Sequence, residues 1–275
     1  MQDILVHTEI FDPWTPGVEY AAHLAAALDA ALTGVYVCPS PMAAMPAYDA
    51  PGLLANLLES TRQLNDLAFA AGDSFIALAH RLGARRAAWQ VAEGYLPAVL
   101  EHIGNWHDLL VLERAANAPW GSAPALGNVV LTTGLPCITV PPGTTAAFGL
   151  DCIALAWNGS SEAIRAIHAA RPLIMRARRV VLLHGEHRHP FSEIGWRPEF
   201  DLRDYLQRHG IHVEEQPLPT SGDEAGEALL DAASKLDADM LVMGAYGRTR
   251  FSEWVFGGAT RHVLGNASMP VLMRH

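Results

Sequence analysis

The sequence predicts an α/β protein of two tandem domains, each a mostly parallel five-stranded sheet with helices on both faces. Three observations carry that expectation. Short apolar runs alternate with helical segments along the chain, the pattern of a parallel sheet covered on both faces. The alternation occurs twice in the same order, which marks an internal repeat. A proline-glycine breaker, Pro141-Pro142-Gly143-Thr144-Thr145, separates the two passes. The expected domains span residues 1–143 and 148–275, a common domain size.

The first pass opens on Asp3-Ile4-Leu5-Val6-His7, a short apolar strand. A helix is expected over residues 18–31, then a strand at Thr33-Gly34-Val35-Tyr36-Val37. Pro39, Pro41, Pro46 and Pro51 then mark a loop. Leu54, Leu57, Leu58, Leu64, Leu67 and Ala68 recur at helical spacing and predict one helix from about residue 53 to about residue 82. Asp108-Leu109-Leu110-Val111-Leu112 and Pro136-Cys137-Ile138-Thr139-Val140 complete the pass as strands.

The second pass parallels it. Cys152-Ile153-Ala154-Leu155-Ala156 is the opening strand, residues 161–174 the helix, and Arg179-Val180-Val181-Leu182-Leu183 the next strand. Residues 187–198 carry Phe191 and Trp196, as a packed loop or a lid. Asp239-Met240-Leu241-Val242-Met243 is a buried strand, Ala259 to Leu264 a helix closed by Gly265-Asn266, and Pro270-Val271-Leu272-Met273 the last strand.

Composition narrows function. The chain has 275 residues, half of them hydrophobic, with a formal net charge of −10. That charge argues against non-specific nucleic-acid binding and against anionic membrane surfaces. Cys38, Cys137 and Cys152 are scattered and odd in number, without a CxxC. This predicts a reducing, cytoplasmic setting. The N-terminus has no basic leader, and the run from Ala21 to Leu32 is too short to span a membrane and contains His23 and Asp29.

The chemistry concentrates after Met243. Gly244 and Gly247 open a loop, and nine residues separate Gly247 from Gly257-Gly258, which stands just before a helix. Glycines at a strand's carboxyl end let backbone amides approach a phosphate closely. A helix N-terminus adds free N–H groups and a favourable dipole. Arg248 and Arg250 add cationic groups. The competing reading is an ordinary strand-to-helix connection that uses glycine for its turns.

The spacing Gly244-x2-Gly247-x9-Gly257, flanked by Leu241-Val242-Met243 and Pro270-Val271-Leu272, resembles the ATP-loop signature of the universal stress protein family. The resemblance implies an adenine nucleotide α-hydrolase-like fold and a stress-response regulator whose second domain binds ATP, with Mg²⁺. It assigns Gly244, Gly247, Arg248, Gly257, Gly258 and Ala259 to the phosphates. It places Ala156, Trp157, Asn158 and His184 beside the adenosine. Two positions depart from the family pattern. Gly258 stands where the family has Ser or Thr, which removes a hydrogen bond of about 0.5–1.5 kcal/mol, up to about tenfold in affinity. Asn158 stands where an acidic residue is common, and Asn158-Gly159-Ser160 also suits a turn and helix cap.

The first domain lacks this loop. Glu113-Arg114-Ala115-Ala116-Asn117 follows its fourth apolar run, and Gly121 and Gly127 fall at the wrong spacing. It is predicted to bind no nucleotide. His184, His187 and His189, with Glu186, form a metal-like cluster that could take Zn²⁺ or Ni²⁺, or is simply a polar loop. There is no Walker A, GxSxG or GxGxxG pattern, so no residue is assigned to catalysis, and at most weak ATP hydrolysis is expected. Two alternatives stand beside the first reading. One is the same fold acting without nucleotide as an interaction module for an unknown protein partner. The other is a slow nucleotide hydrolase. In the resembled family the last strands of two domains pair about a two-fold axis. A tandem chain can satisfy this internally as a pseudo-dimer, and a homodimer of whole chains is left open.

Overall fold

The computed structural model describes residues 1–40, 51–115, 121–144, 148–185, 201–218, 224–246 and 257–275. The first half runs β1 (Asp3–His7), α1 (Pro16–Leu28), β2 (Ala31–Cys38), α2 (Pro51–Ala70), α3 (Gly72–Arg81), β3 (Arg86–Glu93), α4 (Leu96–Gly104), β4 (Leu109–Glu113), α5 (Ala123–Thr133) and β5 (Cys137–Val140). The second half runs β6 (Cys152–Trp157), α6 (Ser161–Ile174), β7 (Arg179–His184), α7 (Leu202–Arg208), β8 (Glu214–Pro217), α8 (Ala225–Lys235), β9 (Met240–Gly244), α9 (Gly258–Asn266) and β10 (Val271–Arg274).

The strands form one continuous sheet in the order β3-β2-β1-β4-β5-β10-β9-β6-β7-β8. Each half therefore repeats the same five-strand order, with all its internal pairs parallel. The halves join where β5 and β10 run antiparallel, with Ile138 opposite Leu272. The intramolecular pairing of last strands expected for a tandem chain is thus realised, and neither strand is left as an open edge.

Alternate residues of each strand face opposite layers. Ile4, Val6, Val111, Ile138, Ile153, Leu155, Val242 and Leu272 pack with α1, α3 and α6. Leu5, Leu110, Leu112, Ala154, Leu241, Met243 and Val271 pack with α5, α8 and α9. Both layers cross the seam between the halves, so the junction is itself core.

Three boundaries differ from expectation. Ala31 belongs to β2, because α1 ends at Leu28 and Asp29 turns the chain in the left-handed region at φ 52°. The single helix expected over residues 53–82 is two helices, broken at Ala71. The Trp89 indole lies across the break. Its Nε1 donates to the Ala68 carbonyl at 2.7 Å, and its ring sits 3.3 Å from where a Cβ on Gly72 would be. The strands β3 and β8, which the apolar runs do not mark, form the two outer edges of the sheet.

Candidate functional site

The chain leaves β6 for α6 on one face of the sheet and leaves β9 for α9 on the other. The carboxyl ends of these neighbouring strands are a topological switch point, the place where open α/β sheets bind ligands. The register of β6 with β9 (Ile153 with Met240) and with β7 (Trp157 with His184) brings several predicted residues to this end. These are Ala156, Trp157, Asn158, His184 and Gly244. Ala156 is buried, Trp157 half-buried and Asn158 exposed. Gly247 and Arg248, with Arg250, lie outside the described residues, as do Glu186, His187 and His189.

Asn158 serves as a turn rather than as the cap. Its Oδ1 accepts from Ser160 N at 3.1 Å, with Gly159 at φ 78° between them. Ser160 is the cap of α6, its Oγ accepting from Ala163 N at 3.2 Å. The next turn holds Glu162, a carboxylate only 3% exposed. Its Oε1 accepts from Ser161 Oγ at 3.1 Å.

The motif glycines serve different ends. A Cβ on Gly244 would lie 2.5 Å from Ala163 N and 2.8 Å from Glu162 Cβ. Gly244 is therefore what lets the first turn of α6 rest on the end of β9. Past it, Ala245 N donates to Arg274 O at 2.9 Å. Tyr246, at φ 54°, donates its N–H to Thr260 Oγ1 at 3.5 Å, tying the exit of β9 to the first turn of α9. Burial pushes the Tyr246 phenol well above the usual tyrosine range, so it stays neutral. Gly257 differs from Gly244. Among the described residues its Cβ would meet nothing nearer than Thr260 Oγ1 at 4.0 Å, and its φ is −55°. Side chains of any type fit that backbone, so the glycine leaves space rather than relieving strain.

Among the described residues the N-terminus of α9 has neither a side-chain cap nor a first-turn acid, and Gly257 and Gly258 there are exposed. Its free amides and dipole favour an anion. Other helix starts are furnished differently: α3 and α8, also without a side-chain cap among the described residues, carry Asp73 and Glu227 in their first turns. Ser160 caps α6 and Asp201 caps α7, while α1, α4 and α5 carry proline in their first turns.

The same place in the first half is filled by the chain itself. Glu113 ends β4 as Gly244 ends β9, and its Oε2 accepts from Gly17 N, at the start of α1, at 3.2 Å. Burial raises the Glu113 carboxyl above the usual range, offset in part by bonds from Thr15 and Gly17. The loop from β1 to α1 folds back over the sheet. Phe11 stacks edge-on against Tyr36 at 5.1 Å and Trp89 at 5.9 Å between ring centres.

The metal-like cluster receives no support from His184. Its Nε2 lies 3.9 Å from a Glu215 carboxylate oxygen on β8. No group of three His, Cys, Asp or Glu side chains suited to a metal occurs among the described residues. No described helix is long and apolar enough to cross a membrane. Sequence reasoning missed Glu162 and Arg114. Aligning the two passes of the repeat would have flagged Glu162, because it falls opposite Gly17.

Comparison with known proteins bears on the same region. The model of the universal stress protein family matches residues 152–275. Among solved structures, a universal stress protein from Archaeoglobus fulgidus DSM 4304 superposes at a TM-score of 0.69 with 14% identity, covering 99% of this chain and 95% of that one. A functionally unknown protein from Pseudomonas aeruginosa PAO1 superposes at 0.58 with 16% identity, covering 100% and 92%. At such identities the two likenesses establish the fold alone. No curated protein matches the sequence.

Proposed function

We propose that the second half, whose residues 152–275 match the universal stress protein family model, binds an adenine nucleotide, ATP with Mg²⁺, as the sensing site of a stress-response regulator. The observation that carries this reading is the glycine-built N-terminus of α9 beside the exit of β9. Phosphates would sit on the amides of Gly257, Gly258 and Ala259, with Gly247 and Arg248 contributed by the loop. The base and ribose would lie over Ala156, Trp157 and Asn158, toward His184. Mg²⁺ would offset the charge between the phosphates and the nearby Glu162.

The first half would bind no nucleotide. Glu113 already sits on the α1 N-terminus, and Pro124 removes an N–H from the first turn of α5, the counterpart of α9. The two domains are thus proposed to be 1–143, degenerate, and 148–275, ligand-binding. A cytoplasmic location fits the scattered reduced cysteines, all buried.

A second reading keeps the fold and drops the ligand, leaving an interaction module for a protein partner. Gly258 in place of Ser or Thr and the buried Glu162 favour it. Calorimetric titration of the nucleotide-stripped full chain with Mg-ATP decides between them. One site per chain is expected, and Gly257→Glu abolishes it by placing a carboxylate on the phosphate position. The backbone of Gly257, at φ −55°, accepts a side chain without strain. Absence of binding at millimolar ATP would leave the interaction module.

A further inference from the structure

We infer that Arg114, a residue of the first half, is a positioning residue for the nucleotide site of the second half, acting through α9. The inference rests on the nucleotide reading above. Arg114 follows β4, and its guanidinium Nη1 donates to the carbonyl of Leu264 in the last full turn of α9, at 3.3 Å. Helix α9 is the element whose other end presents Gly257 and Gly258. Its own last turn carries no basic residue, so a cation supplied from 150 residues away occupies the place where one stabilises the helix dipole.

The arginine is held for that contact. Its backbone N–H donates to Val140 O at 2.8 Å, and the N–H of Ala115 donates to Gly121 O at 3.2 Å. Gly121 is in the left-handed region at φ 83°, and a Cβ there would lie 2.5 Å from Ala115 N. The turn is therefore closed tightly behind Arg114. The guanidinium is half-buried and makes no ion pair with a described carboxylate. A half-buried cation without a carboxylate needs another source of negative potential. The carbonyl end of α9 supplies it. The helix is thereby held at one end by the first half while its other end faces the ligand. By reciprocity, nucleotide bound at Gly257 and Gly258 tightens the contact between the halves.

Titration of full-length protein with Mg-ATP, wild type against Arg114→Met and Arg114→Lys, tests this. Arg114→Met is expected to weaken binding by about threefold to tenfold, and Arg114→Lys to restore part of the loss. Hydrogen exchange without nucleotide should be faster for amides 261–267 in Arg114→Met and unchanged in β6 and β7. A bystander packing role would not be rescued by lysine. If Arg114→Met is too unstable to titrate, Arg114→Gln keeps a donor without the charge and is expected to bind more weakly than wild type. Equal affinity in wild type and in the methionine or glutamine variant overturns the inference while leaving the nucleotide reading intact. No binding by wild type overturns both.

Discussion

The two halves solve one packing problem in opposite ways. Where the fourth strand of each half meets the helix that follows its first strand, one partner is glutamate and the other glycine. In the first half the strand gives Glu113 and the helix gives Gly17, whose Cβ would lie 2.9 Å from Glu113 Cβ. In the second half the strand gives Gly244 and the helix gives Glu162, whose Cβ lies 2.8 Å from where a Cβ on Gly244 would be. The contact has room for one side chain, and either element can supply it. What differs is the consequence. With Glu113 on the strand, the α1 N-terminus receives a carboxylate of the chain. With Gly244 on the strand, the end of β9 carries no side chain toward α6, and the α9 N-terminus has no side-chain cap among the described residues. A duplicated fold has thus kept its packing and differs in what it offers an anion.

The largest expected effect comes from breaking that exchange. Gly244→Glu sets a Cβ against the backbone of Glu162 and Ala163 and is expected to cost about 2–4 kcal/mol in urea unfolding. Adding Glu162→Gly recreates the first-half arrangement and should recover at least about 1 kcal/mol beyond additivity. Additive losses would mean that the two positions do not share one space.

A smaller effect sharpens the comparison through pH. His7 in β1 and Ala156 in β6 occupy equivalent positions by register. Burial lowers the His7 imidazole from 6.5 to about 3. The unfolded chain therefore binds a proton that the folded chain refuses, and stability falls as pH drops from about 6.5 toward about 3. The loss is at most about 1.4 kcal/mol per pH unit. Amide exchange compared at neutral and weakly acidic pH should speed up around β1 and β2 before β6 and β7, and His7→Gln should remove the difference. Equal acid sensitivity in the two halves would contradict this.

Much of the fold was legible because strands buried on both faces leave continuous apolar runs. Met240 to Met243 and Leu109 to Leu112 are such runs. The edge strands were not. β3 alternates half-buried and exposed residues, and β8 reads Glu-Glu-Gln-Pro, so neither stands out from a loop. The helix break at Ala71 depends on Trp89 reaching back across the sheet edge, which no local pattern encodes. At the site, the glycine spacing was readable because it is local. The Gly17–Glu113 pair was not, because its partners are 96 residues apart. Arg114 stayed invisible for the same reason, its contact spanning the two halves.

The central claim is that the halves share a fold and differ in ligand. Hydrogen exchange of the full-length chain with and without saturating Mg-ATP tests it most directly. The account predicts slower exchange in segments 240–246 and 257–266 and at the ends of β6 and β7, with the β1 exit and the starts of α1 and α5 unchanged. Equal protection at the first half's strand ends, or protection there alone, would contradict it.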